Sequence, residues 1–217
     1  MSNAERARAL YEEGVDAFRA GDEKASKEKN EAALSLARAS GDREAESLAL
    51  VGLSRVALRE GDYAGVCALA REARECVRGL SPAADARPLH LLAAGTRLAG
   101  DYDQARELYT ESLELSRRLD DKRGVWIELH NLGFVELHRA NPSEAERLSA
   151  EARKLCGDEP YDVAMIDLES AALAAVRGDF ERVSALLGRA AETLRRAGIV
   201  LDPDDASEVR WLKSQIG

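Results

Sequence analysis

Apolar residues along this chain keep fixed distances from a recurring Gly-Asp pair. The pair stands at Gly21-Asp22, Gly61-Asp62, Gly100-Asp101 and Gly178-Asp179, with Ala140-Asn141 in the same role between the last two, so that successive anchors lie 40, 39, 40 and 38 residues apart. Seven positions before each anchor is a small residue: Gly14, Ser54, Ala93, Gly133 and Ala171. Twelve positions after it is another: Ala33, Ala73, Ser112, Ala152 and Ala190. Large apolar residues surround both columns, with Leu53, Leu92 and Leu132 one place ahead of the first and Leu69, Leu108, Leu148 and Leu186 beyond the anchors. Small residues at matching places on neighbouring helices let two backbones approach closely. A bulky side chain in the first column, as at Gly133, is therefore expected to overpack.

Glycine suits the left-handed residue that ends a helix, and aspartate accepts from the free N–H groups that open one. Each anchor thus predicts a tight turn between antiparallel helices, with Asn141 as N-cap and Pro142 at the first helical position in the fourth case. The pattern predicts five helix-turn-helix units at about 4–40, 43–80, 82–119, 122–157 and 160–197. A final helix at about 203–215 follows, with Asp202 as its N-cap and Pro203 at its first position. On it Val209, Leu212 and Ile216 share a face expected to cap the last unit. Trp211 lies roughly opposite and is expected to face solvent or a second chain, and with the apolar run 198–201 it suggests a homodimer through the C-terminal region. No linker breaks the series, so a single domain over 1–217 is expected.

Composition agrees with an all-α chain: hydrophobic residues make up 45% and aromatics only 5%, with Ala, Leu, Glu and Arg dominant. The net charge of −9 argues against duplex nucleic acid, which needs a clustered positive face. No apolar run approaches the roughly 20 residues that span a bilayer. The three cysteines, Cys67, Cys76 and Cys156, have no metal or redox spacing and fit idle thiols in a reducing cytoplasm.

The words around the fourth anchor, "NLGFVEL" with Leu132 and Gly133 followed by Ala145 and Ala152, resemble the tetratricopeptide repeat. The resemblance covers nearly the whole chain. It departs in period, about 40 residues rather than 34, and in lacking the usual Trp and Tyr, which leaves HEAT-like packing as an alternative. The family implies a right-handed α-α superhelical solenoid whose first helices line a concave groove for a protein or peptide. The longer repeat also resembles the sensor arms of large bacterial ATP-dependent transcription activators, whose ATPase and DNA-binding domains have no counterpart in the sequence.

No phosphate-binding glycine loop, zinc-protease helix or nucleophile elbow occurs, so no catalytic residue and no cofactor are assigned. Groove positions implied by the resemblance can be counted from the small-residue column at six, three and two before it and one, four and five after. They include Arg55 and Arg59 in the second repeat, Arg87, His90 and Arg97 in the third, and His130, Asn131, Phe134 and His138 in the fourth. All three histidines and four arginines thus fall on one expected surface of an acidic chain. Such a surface suits carboxylates, since Arg offers paired donors. Metal is not expected, because His130 and His138 lie about 12 Å apart along one helix. The expected function is a cytoplasmic adaptor that binds a protein or peptide, with acidic segments favoured. A sensor arm binding a small effector and an enzyme with an unrecognised site are the alternatives.

Overall fold

The computed structural model describes residues 2–216. Among them are eleven α-helices and no strand. They are α1 (Asn3–Arg19), α2 (Glu23–Ser40), α3 (Arg43–Glu60), α4 (Tyr63–Val77), α5 (Pro82–Leu98), α6 (Tyr102–Arg118), α7 (Lys122–His138), α8 (Pro142–Ala152), α9 (Pro160–Val176), α10 (Phe180–Ala197) and α11 (Pro203–Ile216).

Every expected turn forms, and its chemistry is local. Gly21, Gly61, Gly100 and Gly178 take φ between 74° and 88°. The aspartate after each caps the next helix, accepting from the backbone N–H of Ala25, Gly65, Gln104 and Arg182 at 2.9–3.1 Å. Asp42 and Asp121 do the same between hairpins, at Ala45 and Gly124. The fourth turn differs. Ala140 adopts φ 58° without glycine's freedom. Asn141 precedes α8 but does not cap it with its side chain. Its amide donates instead to Glu136 at 2.9 Å, joining Arg106 and Arg139 around that buried carboxyl group.

The contacts gather the helices into two compact units, residues up to Ala99 and residues from Gly100. In the first, α1, α3 and α5 touch in succession, and α2 and α4 each pack between the helices before and after them. Its least expected feature is Asn30, in a stretch that reads as solvated yet only 1% exposed. The side chain occupies a slot between two glycines: a Cβ on Gly14 would fall 2.6 Å from its Nδ2, and one on Gly52 2.0 Å from its Oδ1. Asn30 Nδ2 donates to the Ser26 carbonyl at 2.8 Å, bracing the amide against its own helix. Gly95 allows a second close approach, since a Cβ there would lie 2.6 Å from Val66.

In the second unit, α7 and α9 touch each other and are flanked by α6, α8 and α10, while α11 rests on α9 and α10. Both small-residue columns are buried, but Gly133 is not a tight contact: a Cβ there would meet nothing within 4 Å. The gap beside it is lined by Phe134, Leu137, Ala145 and Leu173. The terminal helix is also rolled differently from expectation. Of Val209, Leu212 and Ile216 only Leu212 is buried, and the rest of the inward face is Asp204, Asp205 and Glu208. Hydroxyl and imidazole groups on α7 and α9 meet that acidic face, as described next, and they set the roll.

Candidate functional site

His130 and His138 lie two turns apart on α7, each enclosed by rings and carboxyl groups. His130 stacks on Trp126 at 5.8 Å and meets the edge of Phe134 at 5.1 Å between ring centres. Its Nδ1 is 2.7 Å from Glu169 on α9, whose other oxygen accepts from Ser149 at 2.9 Å. Its Nε2 faces Asp205 of α11 at 3.9 Å. Asp205 accepts from the Tyr161 hydroxyl at 2.6 Å. Burial, followed by the negative charge and hydrogen bond of Asp205, holds Tyr161 protonated far above the usual range of a phenol. Arg123 lies over the rings of both Trp126 and Tyr161 and pairs with Asp162.

His138 is built in the same way. It stacks nearly parallel on Tyr102 at 4.7 Å, and Trp211 of α11 tilts against it at 4.9 Å. Its Nε2 is 3.1 Å from Glu208, also of α11. Trp211 is therefore half-buried on a histidine of its own unit.

The first unit carries the arginines. Arg55 and Arg59 stand over one ring, that of Phe18 on α1, at 4.4 and 3.6 Å from its centre. Arg59 also donates to the Phe18 carbonyl at 2.9 Å and meets Glu23 at 3.3 Å. Arg87 is exposed and donates to the Tyr11 hydroxyl at 3.1 Å. Lying over a ring holds the Arg55 and Arg59 guanidinium groups in place, and a guanidinium so held offers paired donors to a carboxylate.

The nine residues singled out from sequence thus divide by surroundings. Arg55, Arg59 and Arg87 hold partly or fully exposed places on the first helices of unit one, and His90 is half-buried on α5. Arg97 is 2% exposed and belongs to the interior. His130, Asn131 and Phe134 are buried, and His138 is half-buried beneath α11. Asn131 spends its amide on the Ile127 carbonyl at 3.0 Å, within its own helix.

Helical hairpins joined by Gly-Asp turns, with buried small residues at matched places on both helices, fit one family. Residues 85–158 match the sequence profile of the tetratricopeptide repeat. That stretch runs from α5 through α8, and over it the chain is similar to the tetratricopeptide repeat family. Solved structures with the same fold include a Podosopora anserina protein described as a kinesin light chain with nearly identical TPR-like repeats. It is 15% identical, with a TM-score of 0.67 over 91% of this chain and 99% of that one. Another is BtubC of P. vanneervenii, 17% identical, with a TM-score of 0.61 over 93% of this chain and 94% of that one. No curated protein matches the sequence. At these identities the likeness is one of fold.

Sequence reasoning missed the partners of the groove residues. Counting the same register in the first repeat reaches Tyr11 and Phe18, the two aromatic residues that hold the arginines, and in the fifth it reaches Glu169. Asp205 and Glu208 lie outside the repeats, and no register points to them.

Proposed function

We propose that the chain is a binding scaffold that takes a protein or peptide partner on the first helices of its repeats, favours acidic segments, and carries out no chemistry of its own. The observation that supports this most directly is the setting of Arg55 and Arg87. In a chain with 40 acidic and 31 basic residues, many cations pair with a carboxylate, as Arg8, Arg38, Arg117, Arg147 and Arg177 do. These two are held by Phe18 and the Tyr11 hydroxyl instead. The ring under Arg55 and the hydroxyl on Arg87 order the two side chains in advance and lower the entropy lost when a carboxylate arrives.

Calorimetric titration of the full chain with a peptide ending in several Asp and Glu residues tests the reading. Binding is expected to weaken as salt rises, because exposed charges are screened over about 8–10 Å at physiological ionic strength. Arg55→Glu combined with Arg87→Glu is expected to abolish it with the melting temperature unchanged, since neither side chain is in the core. Affinity indifferent to both salt and the double reversal would refute an acid-selective surface. Arg97 is unsuitable for this test, because reversing a buried charge would disturb the fold.

A further inference from the structure

Helix α11 is attached to the second unit in an unusual way. A helix that closes a repeat array normally does so with an apolar stripe. Here the inward stripe is Asp204, Glu208 and Leu212 at intervals of four, with Asp205 beside it, so three of its four buried side chains are acidic. The groups that receive Asp205, Glu208 and Trp211 belong to the first helices of the fourth and fifth repeats. Asp205 meets Tyr161 and His130, Glu208 meets His138, and Trp211 lies on the His138 ring. His130 and His138 are positions at which the repeat register places a bound segment, and Tyr161 stands beside them on α9. We propose that α11 is an intramolecular occupant of the α7–α9 face, and that this face is built for an acidic helical segment of a partner protein with carboxyl groups and an aromatic residue spaced as in Asp204, Asp205, Glu208 and Trp211. The inference rests on the scaffold reading above and names the ligand class and regulation of its second half.

Two physical arguments carry it. Carboxyl groups lose hydration on burial, and contact with histidine and tyrosine returns only part of it, so an acidic interface holds less firmly than an apolar one of equal area. The α11 interface can therefore open while α6–α10 stay packed. The tether is also short: Gly198 ends α10 at φ 66° and Pro203 opens α11. A short linker holds its segment at an effective concentration on the order of millimolar, so a partner must bind more tightly than α11 does or act when α11 is released. The chain thus sets its own threshold for binding.

The test uses the full chain, a synthetic peptide of residues 201–216, and the variant Asp205→Lys/Glu208→Lys, whose added ammonium groups cannot be buried beside the histidines. Calorimetry should show the peptide binding the variant at least ten-fold more tightly than it binds the unaltered chain. A peptide with the same two lysines should not bind. Hydrogen exchange should show the α11 amides of the variant losing protection while those of α6–α9 keep it. Equal affinity for both chains, binding to neither, or loss of protection across α7 and α9 would each overturn the proposal, the last by making α11 an integral cap. Sedimentation of the unaltered chain as a dimer with α11 exchanged would overturn it too, reassigning the occupant to a second copy. The two readings fail separately. Loss of the Arg55 and Arg87 effect with peptide 201–216 still bound removes the general surface, and the reverse result removes only the self-occupied face.

Discussion

Asn30 and the two glycines that face it form the most constrained contact of the first unit. A methyl group on Gly52 would stand 2.0 Å from the amide oxygen, and the amide cannot swing away because Gly14 closes the other side. Gly52→Ala is expected to cost about 1–3 kcal/mol in chemical denaturation through overpacking. Asn30→Ala in the same chain should recover much of that loss, and a double-mutant cycle should show coupling of about 1 kcal/mol or more. Gly133 should behave oppositely. With nothing within 4 Å of a new Cβ, Gly133→Ala removes backbone freedom from the unfolded chain and should stabilise by about 0.5–1 kcal/mol. The register points the other way, since Gly133 stands in the small-residue column and Gly52 two places ahead of it at a position counted as groove-facing. What distinguishes them is the side chain across the interface, and in "EKASKEKNE" the Asn is hidden among residues typical of a solvated face.

Helix ends were the most legible elements, because a cap is decided by three or four adjacent residues. The fourth turn shows the limit of that rule. Asn141-Pro142 reads as a cap followed by a first helical proline, but Glu136 attracts the Asn side chain, and Ala140 takes the left-handed conformation that glycine has at the other anchors. An L-residue there costs roughly 1–2 kcal/mol. Ala140→Gly should therefore raise the melting temperature, with a gain of about 1 kcal/mol after glycine's extra unfolded-state entropy is deducted. The roll of α11 was not legible, because its acidic face answers to groups as far away as His138, 70 residues earlier in the chain. Tyr161 gives that helix a signature at high pH. Its folded pKa is raised, so its contribution to stability is complete below the ordinary phenol value of about 10 and is lost as pH climbs toward the folded value. Denaturation followed from pH 8 to 11 should show a shallower decline above about pH 10 for Tyr161→Phe than for the unaltered chain.

At the scale of the whole molecule, the repeat was legible because it depends on spacing, which survives substitution. The proposed binding faces were legible only in part. The register picks out positions on the first helices, but whether a position is open depends on what covers it. Arg55 and Arg87 remain accessible, Arg97 is interior, and the histidines of the second unit already have company. Net charge adds a consequence that no single residue shows. An acidic ligand approaching a chain of net charge −9 is repelled at long range and held at short range. Added salt should therefore speed association with acidic peptides while shortening the lifetime of the complex, with the second effect dominant at equilibrium. Stopped-flow rates at low and physiological ionic strength would separate the two.

Both tryptophans of the chain, Trp126 and Trp211, rest against histidine rings of the second unit, and the first unit has none. The emission of an indole changes when the groups packed against its ring are displaced. The chain thus carries its own optical reporter on the α7 face, and its intrinsic emission should be silent to events at Arg55 and Arg87. A change in emission on addition of an acidic segment would locate that segment on the histidine side, and binding that leaves the emission unchanged would locate it among the arginines.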